Sequence, residues 1–181
     1  FSIHDGPVHA SSSNFDIKII GKDTHGAHPE RGIDSILVAS EIIISLQTIV
    51  SRRISTLDTA VVSVTKFHGG TAYNIIPEVV TLSGTVRTHK NEVRDKIQTE
   101  MERIIKGICQ GYGAKYYFKL RYGDRAVVNT KKESLLAISV AEKISGKEKV
   151  LTEPRPIMGS EDFGFYLEKK PGCYAHLGNG P

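Results

Sequence analysis

Asn74 and Arg87 stand in one continuous segment, GGTAYNIIPEVVTLSGTVRT, which spans Gly69 to Thr88. The planar, permanently charged fork of an arginine suits a carboxylate, and an asparagine amide can donate to a developing oxyanion. An asparagine in a turn and an arginine at the end of the next strand can converge on one anion. Alternatively, Asn74 satisfies its own turn and Arg87 lies at a sheet edge.

Two histidines, His25 and His28, lie in a glycine- and proline-containing loop. A loop histidine beside Gly26 can approach a ligand closely and donate a proton or a hydrogen bond near neutral pH. The alternative is a pair of surface histidines with no role. Pro29 and Gly32 argue against a helix, on which this i, i+3 pair could hold a metal.

The third candidate is the turn Gly159-Ser160-Glu161-Asp162. Ser160 and the two acids are typical of a capped helix start, but the same turn could line a cleft with amides and carboxylates. The patterns GxSxG, HExxH, CxxC, GxGxxG and the Walker loop are all absent from the sequence. A serine nucleophile is therefore not expected, and a complete metal site cannot be built from these residues.

Composition excludes several classes of protein. The 181 residues carry a net charge of +4, and lysines and arginines are scattered among acids, so we expect no nucleic-acid partner. No apolar run of about 18 residues is present, so no membrane association is expected. Cys109 and Cys173 have no metal-type spacing and are interpreted as reduced thiols of a cytoplasmic protein. Because the chain has no initiator methionine, we expect it to begin inside a longer protein.

Hydrophobic periodicity predicts four strands and two helices in the first part of the chain. Asp34 and Asn91 are the predicted helix caps. The order β-α-β-β-α-β predicts an α+β, ferredoxin-like fold, with one four-stranded antiparallel sheet and two helices on one face. The predicted elements are the strands Phe15–Ile20, Thr59–His68, Glu78–Thr88 and Lys115–Tyr122, and the helices Ser35–Ile54 and Glu92–Tyr112.

The remaining residues predict a different kind of unit. A helix from Asn129 to Ser145, a short helix from Asp162 to Leu167 and a strand from Cys173 to Leu177 are indicated. One long helix and one strand cannot bury both of their faces alone. We therefore interpret this part as a partial α/β domain.

Three segments in the order found here resemble one family. They are GKDTHGAHPERGID (Gly21 to Asp34), the Gly69 to Thr88 segment, and GSEDFGFYLEKKPGC (Gly159 to Cys173). The sequence is similar to the dinuclear zinc aminoacylases and carboxypeptidases, in the branch of hippurate, N-acyl-amino-acid and auxin-conjugate hydrolases. That resemblance implies a hinge over residues 1–12, a lid and dimerisation domain over 13–127, and part of the catalytic domain over 128–181.

The resemblance also implies roles for individual residues. His25 matches the lid histidine that stabilises the tetrahedral oxyanion in a neighbouring subunit, and Asn74 and Arg87 match lid residues near the substrate carboxylate or oxyanion. Gly159, Ser160 and Glu161 match the loop that lines the substrate pocket. His28 has no matching role.

The implied activity is hydrolysis of the amide bond of N-acyl amino acids or similar small conjugates, by a homodimer that pairs through the lid. The resemblance implies two divalent metal ions, zinc or similar, in the full-length enzyme and none in this chain, whose residues lack the family's metal-binding segments. His176 does not match the family's last metal ligand. The alternative is a non-catalytic, ferredoxin-like module for dimerisation or small-ligand binding, because fold alone does not establish function.

Overall fold

The computed structural model describes residues 1–180 in two compact units. The sandwich unit comprises Ser13–Val86 and Glu92–Tyr122, and the strand–helix unit comprises residues 1–12, 87–91 and the chain from Gly123 onward. Pro181, the last residue of the predicted 128–181 segment, lies outside the described residues.

Eight strands and four α-helices are assigned in residues 1–180, together with 3₁₀ turns at Pro29–Arg31 and Lys147–Lys149. In chain order they are β1 (Gly6–His9), β2 (Ser11–Ile20), β3 (Thr24–His25), α1 (Ser35–Arg52), β4 (Ala60–Gly69), β5 (Ile75–Ile76), β6 (Val79–Thr88), α2 (Asn91–Tyr112), β7 (Lys115–Tyr122), β8 (Val127–Asn129), α3 (Lys131–Ser145) and α4 (Gly164–Leu167).

The main sheet is four-stranded and antiparallel, with the strand order β4-β6-β2-β7. Strand β2 pairs with β7 in a continuous register from Ser13 opposite Tyr122 to Ile20 opposite Lys115. The two strands that are first and last in the β-α-β-β-α-β order therefore lie side by side. This arrangement confirms the predicted fold.

Both long helices pack on one face of this sheet. Alternate residues of β2, Phe15, Ile17 and Ile19, are at most 1% exposed, as strand periodicity requires for one buried face. They belong to the same hydrophobic cluster as Leu46 of α1 and Met101 of α2. A single apolar layer thus holds two helices against the sheet.

Helix α1 begins where predicted, because Asp34 accepts hydrogen bonds from the N–H groups of Ile36 (2.9 Å) and Leu37 (3.1 Å). Its buried face is narrower than its run of aliphatic residues. Ile36 and Leu37 are 38% and 48% exposed, whereas Val38 and Ala39 are fully buried. The buried stripe follows the i, i+3, i+4 spacing from Ser35, and the flanking aliphatic residues lie outside it.

By length and composition alone, one helix in residues 1–180, α1, could cross a membrane. This differs from the sequence expectation that no segment was apolar enough. Core helices can be equally long and apolar, and Ile42, Leu46 and Ile49 of α1 are fully buried in the sandwich unit.

In the strand–helix unit, β1 and β8 form a two-stranded antiparallel sheet. Helix α3 begins at Lys131, two residues later than predicted. Asn129 instead ends β8, where its side-chain amide donates to the carbonyl oxygens of His4 (2.9 Å) and Tyr174 (2.8 Å) and accepts from the Tyr174 N–H (2.7 Å). These distant partners keep Asn129 out of the helix.

The predicted strand Cys173–Leu177 was wrong, and only one bridge, between His176 and Ser2, is formed there. The Ser2 N–H donates to the His176 carbonyl (2.9 Å) and the His176 N–H donates to the Ser2 carbonyl (3.0 Å). The main-chain groups of Tyr174 are bound by a side chain instead of a strand, which interrupts any ladder.

Candidate functional site

The His25 loop is narrow at its base. Lys22 and Ile33 exchange two main-chain hydrogen bonds of 3.0 Å each. A Cβ atom on Gly21 would lie 2.1 Å from the Ile33 carbonyl oxygen, so only glycine fits at this close approach. The packing of two backbones thus determines where the loop leaves the sheet.

His25 and Asn74 come together at the tip of the sandwich unit. Strands β3 and β5 pair with His25 opposite Ile75, and the Gly26 N–H donates to the Asn74 carbonyl at 2.8 Å. The side-chain amide nitrogen assigned to Asn74 lies 3.4 Å from Nε2 of His25, and both residues are exposed. The sequence named both residues but could not reveal this contact.

The tautomer of His25 follows from its hydrogen bonds. The Ala27 N–H donates to Nδ1 at 3.1 Å, so Nδ1 is the acceptor of the neutral ring and Nε2 carries the proton. The adjacent polar atom of Asn74 is then best assigned as its oxygen, since amide orientation is a choice made from the hydrogen-bond network. His25 therefore presents an N–H donor at the loop tip, beside the amide of Asn74.

His28 lies in the same loop but makes different contacts. Its ring centroid is 6.1 Å from that of His25, and Nδ1 lies 3.9 Å from Glu30. Its carbonyl oxygen accepts from the Thr24 hydroxyl at 3.0 Å. The two histidines are neighbours, yet only His25 contacts Asn74.

Arg87 is half-buried near the end of β6 and belongs to the strand–helix unit, whereas Asn74 belongs to the sandwich unit. The convergence of these two residues on one anion stays a prediction. Within its own unit, Arg87 lies near Asp124, whose pKa is lowered by hydrogen bonds from Ser160 and Ser12 and by the charge of Arg87. The Ser12 hydroxyl donates to the Asp124 carboxylate at 3.0 Å.

The predicted loop Gly159–Ser160–Glu161 is bonded at both of its ends. The Gly159 carbonyl accepts from the Ala10 N–H at 3.0 Å, the Glu161 carboxylate accepts from the Asp162 N–H at 3.1 Å, and Ser160 between them lowers the pKa of Asp124. Burial raises the pKa of Tyr174, and the charge of the nearby Glu161 raises it further. This loop is therefore an ordered wall of the strand–helix unit.

Several residues of this wall were missed from the sequence, namely Asp124, Tyr174, His9 and His176. His9 lies in the segment that resembles the family's hinge, and His176 was considered only as a metal ligand. Their partners are far away along the chain: His9 and His176, for example, contact each other across 167 positions. No local signal pointed to these contacts.

Residues 1–180 contain no group of three or more His, Cys, Asp or Glu side chains arranged to hold a metal ion. The residues described here do not fit a dinuclear metal centre.

Comparison with known proteins identifies relatives over nearly the whole chain. The family described as the peptidase dimerisation domain of M20 proteins matches residues 8–112. N-acetylcysteine deacetylase of Bacillus subtilis is 40% identical over 97% of this chain, and hippurate hydrolase of Campylobacter jejuni is 36% identical over 99%. The matches cover 46% and 47% of those relatives, so the chain spans about half of their length.

A solved structure supports the same grouping. The Bacillus subtilis YXEP protein, described as a dinuclear metal-binding peptidase of the M20 family, is 33% identical, with a TM-score of 0.76. The match covers 95% of this chain and 42% of that structure.

Proposed function

The chain belongs to the M20 peptidase family through its dimerisation domain, and from that premise we propose that the protein hydrolyses the amide bond of N-acyl amino acids or similar small conjugates. The relatives matched over residues before and after the sandwich unit are named as hydrolases. A free-standing dimerisation or ligand-binding module would not need residues 123–180, which lie inside these matches.

The observation that carries the proposal is the contact between His25 and Asn74 at the loop tip. Hydrolysis of an amide passes through a tetrahedral oxyanion, which is stabilised by donors that are already oriented. Nε2–H of His25 is such a donor, because Ala27 holds the other ring nitrogen as an acceptor. In this proposal His25 donates to the oxyanion, and Asn74 orients that ring and contacts the substrate.

Arg87 and the Gly159–Ser160–Glu161 loop are proposed to contact the substrate. Arginine is suited to a carboxylate, the group that every N-acyl amino acid carries. The ordered contacts of Gly159, Ser160 and Glu161 support a preformed wall. Their proposed task is to bind and orient the substrate.

Two divalent ions, zinc or similar, are proposed for the full-length protein. The description of the YXEP relative as a dinuclear metal-binding peptidase supports this. Since residues 1–180 offer no suitable cluster, the ligands are proposed to come from elsewhere in the protein. No chemical step of the proposal runs through a metal ligand of this chain.

A homodimer through the sandwich unit is also proposed. Strand β4 is at one end of the sheet order, and α1 exposes Leu37 (48%) and Ile44 (70%) on its outer side. An end strand and an apolar helix face can each pair with a second copy. Ile44→Glu is expected to shift the protein towards monomer in light scattering, whereas Gln110→Glu, at an exposed position of α2, serves as the control.

A cytoplasmic location is proposed as well. Cys109 and Cys173 are both free thiols, as in proteins of reducing compartments. Burial raises the pKa of Cys109 to about 11, which makes this thiol unreactive.

The test compares two alanine variants in the same loop of the full-length protein. His25→Ala is expected to lower kcat on the order of 100-fold or more, the typical cost of losing one oxyanion donor, with metal content unchanged. His28→Ala removes a neighbouring exposed histidine and is expected to change kcat less than about twofold. Turnover would be measured with a panel of N-acyl amino acids.

Equal rates for His25→Ala and the unmodified protein would contradict the role of His25. Absence of hydrolysis across the whole panel, at full metal occupancy, would contradict the proposed activity itself. A loss of rate accompanied by metal loss would assign His25 a structural role instead.

A further inference from the structure

His9 and His176 form a histidine pair in the strand–helix unit. Their Nε2 atoms are 3.1 Å apart and their ring centroids 5.1 Å apart. His9 is only 7% exposed. Because a neutral imidazole has one donor and one acceptor, one ring donates to the other at this distance.

The surroundings of His9 favour one assignment of that hydrogen. Nδ1 of His9 is buried and makes no hydrogen bond that meets ordinary geometry within residues 1–180. Gly159 lies on this side of the ring, where a Cβ atom at 159 would be 3.9 Å from Nδ1. If His176 donates to Nε2 of His9, the proton of the His9 ring is on Nδ1 and faces the Gly159 backbone. This arrangement costs less free energy than burying Nδ1 as an acceptor without a donor.

The main chain around His9 is bonded to the segment that leads into the same loop. The Ile157 N–H donates to the Val8 carbonyl at 3.0 Å, and the Ala10 N–H donates to the Gly159 carbonyl at 3.0 Å. His9 thus lies between two hydrogen bonds that hold residues 157–159. Its side chain and its backbone both contact the approach to Ser160 and Glu161.

Tyr174 links the pair to Glu161. Its ring centroid is 5.1 Å from that of His9 and 5.3 Å from that of His176, with edge-to-face geometry in both cases. Burial raises the pKa of Tyr174, and the charge of the neighbouring Glu161 carboxylate raises it further. Movement of either histidine ring would therefore displace the Tyr174 ring, which lies beside Glu161.

We propose that His9 is a positioning residue for the Gly159–Ser160–Glu161 loop, and that its hydrogen bond with His176 makes substrate binding by this loop depend on pH. The proposal rests on the proposed function, in which the loop contacts the substrate. His9 itself is not assigned a contact with the substrate.

The chemistry of the pair gives the direction of the pH effect. One added proton leaves a charged donor facing a neutral acceptor, so the bond persists. A second proton places two donors 3.1 Å apart and breaks it. Burial and the charge of His176 lower the pKa of His9, His89 acts in the same direction, and the Gly159 backbone and Glu161 oppose them. The loop is therefore held above the range in which both rings are charged and released below it.

The experiment measures KM for an N-acyl amino acid with the full-length protein at about pH 7.5 and about pH 5.0. The lower value lies well below the ordinary histidine pKa of about 6.5, because release needs both rings charged and the pKa of His9 is lowered. The unmodified protein is expected to show a KM about tenfold higher at the lower pH, the effect of one lost hydrogen bond. His9→Phe keeps the ring packing but has no nitrogen. It is expected to show the raised KM at both pH values, with kcat at the higher pH changed less than about threefold.

Two further variants complete the design. His176→Phe should behave as His9→Phe does, and the double variant should be no worse than either, because both remove the same bond. His68→Gln, an exposed histidine of β4, should keep the pH dependence of the unmodified protein. If either phenylalanine variant does not fold, His176→Ala at the half-buried partner removes the same bond with a smaller side chain.

A second measurement does not need activity. Amide hydrogen exchange in residues 159–161, corrected for intrinsic rates, is expected to be about tenfold faster in His9→Phe at about pH 7.5. Unchanged exchange, or an unchanged KM ratio between the two pH values, would overturn the inference. If Ser160→Ala raises KM and His9→Phe does not, only this inference fails. If neither variant affects KM, the proposed role of the loop in substrate binding is contradicted.

Discussion

Helices α1 and α3 show the same kind of apolar pattern but have different surroundings. In the sandwich unit, Ile42 and Leu46 of α1 are fully buried, whereas in the strand–helix unit Leu136 and Ile144 of α3 are 66% and 73% exposed. The sandwich unit has a sheet face and a second helix that cover α1. Among residues 1–180, α3 has no comparable layer over its aliphatic residues.

This difference teaches that an apolar stripe predicts burial only where a second layer exists to cover it. The periodicity of Asn129–Ser145 predicted a helix, and a helix is present over Lys131–Ser145. Among the apolar residues of this helix, only Ala141 is buried. Helix propensity and hydrophobic periodicity are sufficient for the helix to form, whereas the neighbouring elements determine which of its residues are buried.

The largest expected effect in the sandwich unit follows from removing a core aromatic. Phe15→Ala is expected to lower the free energy of unfolding by about 3–5 kcal/mol. Phe15 is fully buried against Gly84, so the substitution would leave a cavity in the core. Leu57→Ala, at a position 93% exposed, is expected to change it by less than about 0.5 kcal/mol. Urea denaturation of both variants measures the contrast, and similar costs would mean that the core was wrongly located.

A smaller effect separates two glycines of the sandwich unit. Gly21→Ala is expected to cost roughly 1–3 kcal/mol, because the added methyl group would overlap the Ile33 carbonyl. Gly107→Ala, in the middle of α2 with open space around it, is expected to stabilise by about 0.5–1 kcal/mol. Opposite signs in thermal denaturation would support the narrow loop base, and a stabilising Gly21→Ala would contradict it.

The helix starts provide a further comparison. Asp34 caps α1 with two hydrogen bonds, whereas Thr130 at the start of α3 makes no side-chain cap bond. Asp34→Ala is expected to cost about 1 kcal/mol, and Asp34→Asn, which can still accept, much less. Denaturant midpoints test this, and equal losses for both variants would show that charge rather than capping matters.

The smallest expected effect is a difference between the two units in how their stability depends on pH. The pKa of His9 is lowered, so its contribution to stability is intact above the ordinary value of 6.5 and weakens as the pH falls below it. The pKa of Asp16 in the sandwich unit is also lowered, by hydrogen bonds from Arg121 and Ser83. The contribution of Asp16 is intact above its ordinary value of 3.8 and is lost only at lower pH.

Between about pH 7.5 and about pH 5.5, which span the ordinary histidine pKa, the unmodified protein should therefore lose more stability than His9→Phe. Asp16→Asn should lose as much stability across this pH range as the unmodified protein does. Urea midpoints at the two pH values measure both differences. An identical pH dependence in His9→Phe would contradict the assignment of the loss to His9.

Prediction from the sequence worked best where neighbours along the chain decide the structure. Both ends of β7, Lys115 and Tyr122, were predicted, and Asp34 was identified as a cap. The helix over 129–145 and the strand over 173–177 were less accurate, because Asn129 binds the main chain of Tyr174. A side-chain contact across 45 positions has no signature in a local pattern.

The candidate site divides in the same way. His25, Asn74, Arg87 and the Gly159–Glu161 loop were recognised from their motifs, and their roles remain predictions. The proton on Nε2 of His25 could not be assigned without the position of the Ala27 N–H. The contacts that hold the loop in place, such as that of His9 with His176, join distant positions and were not predicted.

The sequence by itself determined the order of the sandwich elements, the α+β fold and the motifs that place the chain in its family, because periodicity, capping residues and turns act over a few positions. Only the tertiary structure decided which aliphatic residues are covered, which tautomer His25 adopts and that His9 meets His176. Those outcomes depend on atoms brought together from distant parts of the chain, where burial and hydrogen-bond geometry choose among arrangements that are equivalent in the sequence.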